Sequence, residues 1–217
     1  METFFVFKVS GCTFAPIMRE KILTNATDLF LNYGFKSITM DDISNHIGIS
    51  KKTIYQHFDN KTTLVEAVGL HVFNTISCGI TDICSTKKDP IEEIFDIKQF
   101  VMEHLKDEKS SPQYQLQKYY PKIFNTLKKK QFDVMQQCVK DNLLRGVEIG
   151  LYRPSINIEF ISRIYFNSMV ALKDKELFPL NHFSVNTLMV YFLEYHLRGI
   201  CTENGLLTLN KFIKNQS

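Results

Sequence analysis

The chain has 217 residues, 44% of them hydrophobic and 23% charged, with 26 basic against 23 acidic side chains. That is the composition of one or two globular domains, which excludes disordered, collagen-like and low-complexity chains, and a net charge of +3 is too small to point to a polyanion by itself. Five cysteines (Cys12, Cys78, Cys84, Cys138, Cys201) without CxxC spacing argue for reduced thiols, and no run approaches the roughly 18 apolar residues of a membrane span.

Residues 1–17 open with an apolar stretch, but it lacks a basic start and Lys8 interrupts it, so a signal peptide is rejected. A strong helical pattern follows Met18, and residues 1–17 are expected to be a mis-called start or a loose extension. Ile22, Ala26, Leu29, Phe30 and Tyr33 recur at helical spacing on a first helix that Gly34 stops. Thr39 can cap a second helix with Asp42 as reciprocal partner, running through Ile43 and Ile47 to Gly48. Ser50 caps a third, with Ile54 and Phe58 inward, and Asn60 starts a fourth with Leu64, Val68 and Val72 on one face.

Residues 85–90 read as a linker ending in a helix start, with Asp89 as cap, Pro90 in the first turn and Glu92 completing the box. Ile91, Ile94, Phe95, Val101, Met102 and Leu105 follow as an apolar stripe. Ser111-Pro112 and Tyr120-Pro121 punctuate further helices, and a long one spans about 121–149. Two more run from Ser155 to Leu172 and from Ser184 to about Arg198. The fold class is all-α: a three-helix helix-turn-helix unit at 18–64, with its motif at 39–58, joined to a larger helical part at 65–217.

Only Gly48-Ile49-Ser50 separates the second helix from the third. Such a turn needs a residue tolerant of unusual backbone angles at Gly48, an apolar plug at Ile49 and a cap at Ser50. Ile43, Ile47, Ile49, Ile54 and Phe58 then hold the two helices at a fixed angle. Lys51, Lys52, Thr53 and Gln56 stay exposed, with Tyr55 and His57 at the flanks. These groups suit base edges and phosphates at the leading end of a recognition helix. The plainer alternative is a helical corner with a solvated polar face.

Residues Thr39 to Leu64 resemble the DNA-binding segment of TetR-type transcriptional repressors, and Ala26 to Phe35 resemble that family's first helix and its exit. The most specific part is Tyr55-Gln56-His57-Phe58-Asp59-Asn60-Lys61. The resemblance implies that Thr39 meets a DNA phosphate through its hydroxyl and amide, and that Ser50 belongs to the same DNA-facing set. Lys51, Lys52 and Thr53 fall at base-reading positions, with Gln56 one turn later. Tyr55 matches a phosphate-binding tyrosine, His57 lies beside it, and Lys61 matches a lysine that pins the DNA backbone. Several family members carry Gly or Pro where Lys52 stands, so base preference is not transferable. Thr62-Thr63 replace a more usual acidic pair. Gly150 to Pro154 and Arg198 to Gly205 also look familiar from such regulators. Residues 18–70 hold six basic and six acidic side chains, so position and not total charge places Lys51, Lys52 and Lys61 on the DNA side.

Residues 158–172 and 185–197 are apolar nearly all round, which calls for burial on two sides. The resemblance implies a homodimer joined as a four-helix bundle, with Ile161, Tyr165, Met169, Leu188, Phe192 and Leu193 as its expected interface; a buried monomer core is the alternative. In regulators of this kind the region matching 91–149 encloses an effector pocket, for which Phe95, Met102, Phe124 and Met135 are the candidates here. Expected partners are double-stranded DNA carrying an inverted repeat, a second copy of the chain and a small-molecule effector, in the cytoplasm and with the nucleoid. No cofactor, metal or membrane is expected. An enzyme reading finds no Gly-rich phosphate loop, GxSxG or HExxH; His71, His104, His182 and His196 are scattered, and Cys78 and Cys84 share no helix face. The alternative from another class is a helical protein-interaction module that does not bind DNA.

Overall fold

Ten α-helices and no strand make up the described residues (14–105, 112–174, 176–179 and 181–216) of this computed structural model. The head comprises α1 (Phe14–Tyr33), α2 (Met40–Ile47) and α3 (Lys51–Tyr55), closed by the first turns of α4 (Lys61–Ser85). Its expected caps form. Thr39 Oγ1 accepts from the Asp42 amide at 3.2 Å, while Asp42 Oδ2 accepts from the Thr39 amide at 2.8 Å. Ser50 Oγ accepts from the Thr53 amide at 3.1 Å, and Asn60 and Thr63 make a second reciprocal box at the start of α4. Ile22, Ala26, Phe30, Ile43, Ile54 and Leu64 are fully buried together.

Two boundaries and one burial differ from expectation. The first helix begins at Phe14, ahead of Met18, and residues 1–13 of the suggested extension lie outside the described residues. Tyr33 shares the α1 stripe by spacing yet is 62% exposed, because periodicity names a face without saying how far the neighbours extend along it. α4 continues to Ser85 and is, by length and composition, apolar enough to cross a membrane, against the sequence reading. It packs on α1, α5 and α7, which accounts for that character.

The body holds α5 (Pro90–Leu105), α6 (Pro112–Tyr119), α7 (Pro121–Glu148), α8 (Ile158–Ala171), α9 (Val185–Ile200) and α10 (Glu203–Gln216). Asp89 caps α5 through the Ile91 amide at 2.8 Å, but Glu92 pairs with Lys88 at 3.1 Å instead of closing a box. Asn157, not Ser155, caps α8. The sequence did not announce α10, which starts where Thr202 Oγ1 accepts from the Gly205 amide. The two weaker family-like segments meet here. The Arg153 amide donates to Ile200 O and the Thr202 amide to Leu151 O, both at 2.9 Å, and fully buried Tyr152 lies against Gly146 where any Cβ would collide with its ring.

Head and body share a joint. Ile123 of α7 is part of the head core, with Leu116, Tyr120 and Leu127 packed on it. At Gly34, whose φ is +88°, the Gln115 side chain fills the space a Cβ would need, and its Oε1 accepts from the Lys36 amide at 2.9 Å.

Candidate nucleic-acid interface and the cavity behind it

α3 is short and rigidly seated. Gly48 adopts φ +74° and donates to Ser44 O and Asn45 O, which ends α2 and turns the chain into the Ser50 cap. Ile54 and Phe58 anchor the inner side, with the Arg19 guanidinium 5.0 Å above the Phe58 ring. Lys51, Lys52, Tyr55 and Gln56 are exposed on the outer side, Thr53 and His57 half-buried beside them. Among the described residues the side chains of Lys52 and Gln56 make no hydrogen bond or ion pair, so both heads stand free toward solvent.

Three other expected contacts are already engaged. Lys51 Nζ pairs with Asp41 at 2.8 Å, and that hydrogen bond raises its pKa. The Thr39 hydroxyl donates to Asp42 Oδ2 at 2.7 Å, and the Thr39 hydrogen bonds hold the Asp42 carboxyl below its ordinary range. A phosphate reaching Thr39 must displace a carboxylate that occupies the same donors. Lys61 is half-buried, its ammonium 5.9 Å over the Phe30 ring and 3.5 Å from Lys36 O, and desolvation lowers its pKa. Sequence alone signalled the Asp42 cap but not its competition with a ligand for Thr39.

Behind the head lies a cavity of about 240 Å³ walled by α1, α4, α5, α6, α7, α8 and α9. Leu31 and Phe35 of the head reach it directly, and Phe124 and Met135 line it. Phe95 and Met102 do not. Phe95 stacks on Phe212 with ring centroids 4.8 Å apart, and Met102 packs on the cluster of Leu172, Val185, Leu188 and Met189. An apolar stripe marks burial, and burial under α9 or α10 looks identical in sequence to facing a cavity. Sequence reading also missed several polar members of the wall, among them Lys98, Asn142, Glu93 and His196. Buried Glu93 accepts from Arg145 and, at 2.8 Å, from Asn142 Nδ2, and Tyr152 donates to Asn142 Oδ1 at 3.2 Å. Interaction between the thiols of Cys84 on α4 and Cys138 on α7 raises the pKa of the first and lowers that of the second to about 7. Residues separated by fifty positions carry no spacing signal.

The expected dimer residues divide. Tyr165, Leu188 and Leu193 are buried inside the protomer, and Ile161, Met169 and Phe192 pack partly on the same core. The outward stripe is carried instead by Phe160 and Ile164 on α8 and by Tyr191 and Tyr195 on α9, the last 78% exposed. With helices apolar nearly all round, composition does not tell the inner side from the outer.

Residues 22–68 match the family described as bacterial regulatory proteins, tetR family. The biofilm operon icaADBC HTH-type negative transcriptional regulator IcaR of Staphylococcus epidermidis is 39% identical over 57 residues, covering 26% of this chain and 31% of that protein. The corresponding regulator of Staphylococcus aureus (strain Newman) is 41% identical over 49 residues, 23% of this chain and 26% of the relative. The matched segment thus spans about a third or less of these relatives' length. A TetR-family transcriptional regulator from Agrobacterium tumefaciens superposes with a TM-score of 0.69 at 16% identity, over 87% of this chain and 100% of its own. A transcriptional regulator from Cytophaga hutchinsonii does so with 0.67 at 20% identity, over 84% and 98%. At such identities the likeness is one of fold, while the head matches its relatives at 39–41% sequence identity. By sequence, residues 22–68 are similar to the tetR family, and the chain shares the fold of a TetR-family regulator of known structure.

Proposed function

We propose that the chain is a homodimeric transcriptional repressor of the cytoplasm, bound to nucleoid DNA at an inverted-repeat operator and released by a small molecule held in the cavity. The observation that carries this reading is the exposed edge of α3. A capped, left-handed-glycine turn presents Lys52, Thr53 and Gln56 to solvent on a helix anchored from behind. Tyr55, Lys61 and Thr39 flank that edge as phosphate contacts, which position without specifying, whereas Lys52, Thr53 and Gln56 read bases. Two copies related by a two-fold axis read half-sites about 10 base pairs apart or a multiple of that.

Exposed Phe160 and Ile164 on α8 and Tyr191 and Tyr195 on α9 support the second copy, since four large apolar side chains on two packed helices are costly to leave in water. Release follows from where the cavity lies. Its wall includes Leu31 and Phe35, so an occupant pushes on the head through α1 as well as through α4. A ligand releases DNA only by favouring the arrangement that fits DNA less well.

Selection of bound sequences from random DNA tests the reading. The selected motif is expected to be an inverted repeat, and Lys52→Ala and Thr53→Ala are expected to change preferred bases at roughly 1–3 kcal/mol per contact. A motif unchanged by both substitutions refutes the base-reading role, and no selected motif at all favours a module that binds protein.

A further inference from the structure

On the reading that the cavity is the effector site, we propose that its ligand is a small amphipathic monocarboxylate, an apolar body whose anionic head pairs with Lys98 while His196 offers a neutral hydrogen-bonding contact. Most of the wall is apolar, with Val72, Ile76, Ile97, Leu127, Met135 and Met169 among its members, so the body of the ligand must be apolar too. Lys98 is the cation that α5 contributes to that wall. It lines the cavity, is partly buried and has no acidic partner among the described residues. Desolvation accordingly lowers its pKa. An ammonium that loses water without gaining a counter-charge is unfavourable, and a bound anion removes that cost.

The buried acid in the wall is not available for this. Glu93 is taken by Arg145 and Asn142. Lys128 adds a second positive side chain to the lining, while the one acid among the described lining residues, Glu93, is already paired with Arg145. No arginine is among the lining residues described, and dianionic phosphates are characteristically gripped by arginine forks. A compact ammonium suits a monoanion.

His196 is the second observation. It is 7% exposed, borders the cavity, and is touched by the rings of Tyr165 and Phe192 at 5.2 and 5.5 Å. Neither of its ring nitrogens has a hydrogen-bond partner among the described residues. Burial lowers its pKa to about 4, so near neutral pH it offers one donor and one acceptor and adds no charge. The volume of about 240 Å³ lies just under the usual range for ligand sites, about 300–1,000 Å³, which favours a medium-length chain over a long one.

Calorimetric titration of the full chain with decanoate, decanol and decyltrimethylammonium separates charge from apolar fit. Decanoate is expected to bind at least tenfold more tightly than decanol, with the cation weakest. Lys98→Met keeps the apolar stem and is expected to erase that difference by weakening decanoate alone; unchanged decanol binding shows that the fold is intact. His196→Phe keeps the ring packing and is expected to weaken decanoate and decanol alike by severalfold. Equal binding of decanoate and decanol, a difference that survives Lys98→Met, or no binding of any of the three overturns the ligand class. No effect of His196→Phe removes His196 from the site. Operator affinity measured with saturating decanoate keeps the two readings apart. Tight, Lys98-dependent binding with unchanged operator affinity leaves the ligand class standing and defeats the effector reading.

Discussion

In the head, the residues that make the surface are near neighbours in the chain: the Thr39–Asp42 box, the Gly48 turn, the Ser50 cap and the α3 edge all fall between 39 and 61. In the body, one cavity wall draws on residues as far apart as Leu31 and His196. The head is therefore constrained by local geometry, where few side chains serve as a cap or as a left-handed turn residue. The body is constrained by volume, which many apolar residues satisfy. The same contrast explains why relatives match the head at about 40% identity over some fifty residues, while whole-chain likeness survives as fold alone at 16–20%.

The contrast breaks most visibly at the outer stripe. Replacing Tyr191 and Tyr195 together by Asp is expected to give a folded monomer by sedimentation, with unchanged helical signal. Operator affinity is expected to fall by about 10²–10⁴, since two heads no longer act at high effective concentration. Leu193→Lys, by contrast, places a charge in the protomer's own core and is expected to unfold the body. A dimer that survives the double substitution refutes the assigned face.

A second effect lies wholly in the body. Arg145→Met leaves the Glu93 carboxylate buried without its cation and is expected to cost about 3–5 kcal/mol in denaturant unfolding. Adding Glu93→Met is expected to restore most of the loss, because an apolar pair of similar volume needs no counter-charge. Losses that simply add contradict the pairing.

Much of the head was legible because caps and turns act over three or four residues, and those distances are printed in the sequence itself. Thr39, Gly48, Ser50 and Asn60 each terminate or start a helix as their chemistry predicts. In the body, helix existence was legible from periodicity, but facing was not. Phe95 against Phe212, Met102 under Met189, and Tyr165 turned inward all satisfy the same apolar pattern that a cavity wall or a dimer face does. The Glu93–Arg145–Asn142 cluster and the Lys98 position depend on which helices become neighbours, which no local spacing encodes.

Acid sharpens the comparison further. His196 titrates at about 4 in the folded chain against an ordinary 6.5. Above pH 6.5 both states hold it neutral and it contributes nothing to pH dependence. As pH falls from 6.5 toward 4 the unfolded chain takes up the proton and the folded chain does not, so stability drops. The wild-type loss relative to His196→Phe is expected to approach about 3 kcal/mol at pH 4, read from denaturant midpoints of the two proteins. Parallel curves over that window would mean that the ring is not held neutral.

The smallest effect is in the head and runs opposite to intuition about caps. Asp42 completes the α2 box, yet its carboxylate takes the Thr39 amide and hydroxyl and faces the Lys61 ammonium. In Asp42→Asn the side-chain oxygen still accepts from Thr39, so α2 keeps its start, while the negative charge beside the DNA path disappears. Operator and non-specific DNA are then expected to bind severalfold more tightly in equal measure, with base preference unchanged. The dependence of log affinity on log salt is expected to steepen by up to about 0.9, the contribution of one more neutralised phosphate. Weaker binding to all DNA would mean that the carboxylate positions Thr39 for the phosphate more than it competes with it.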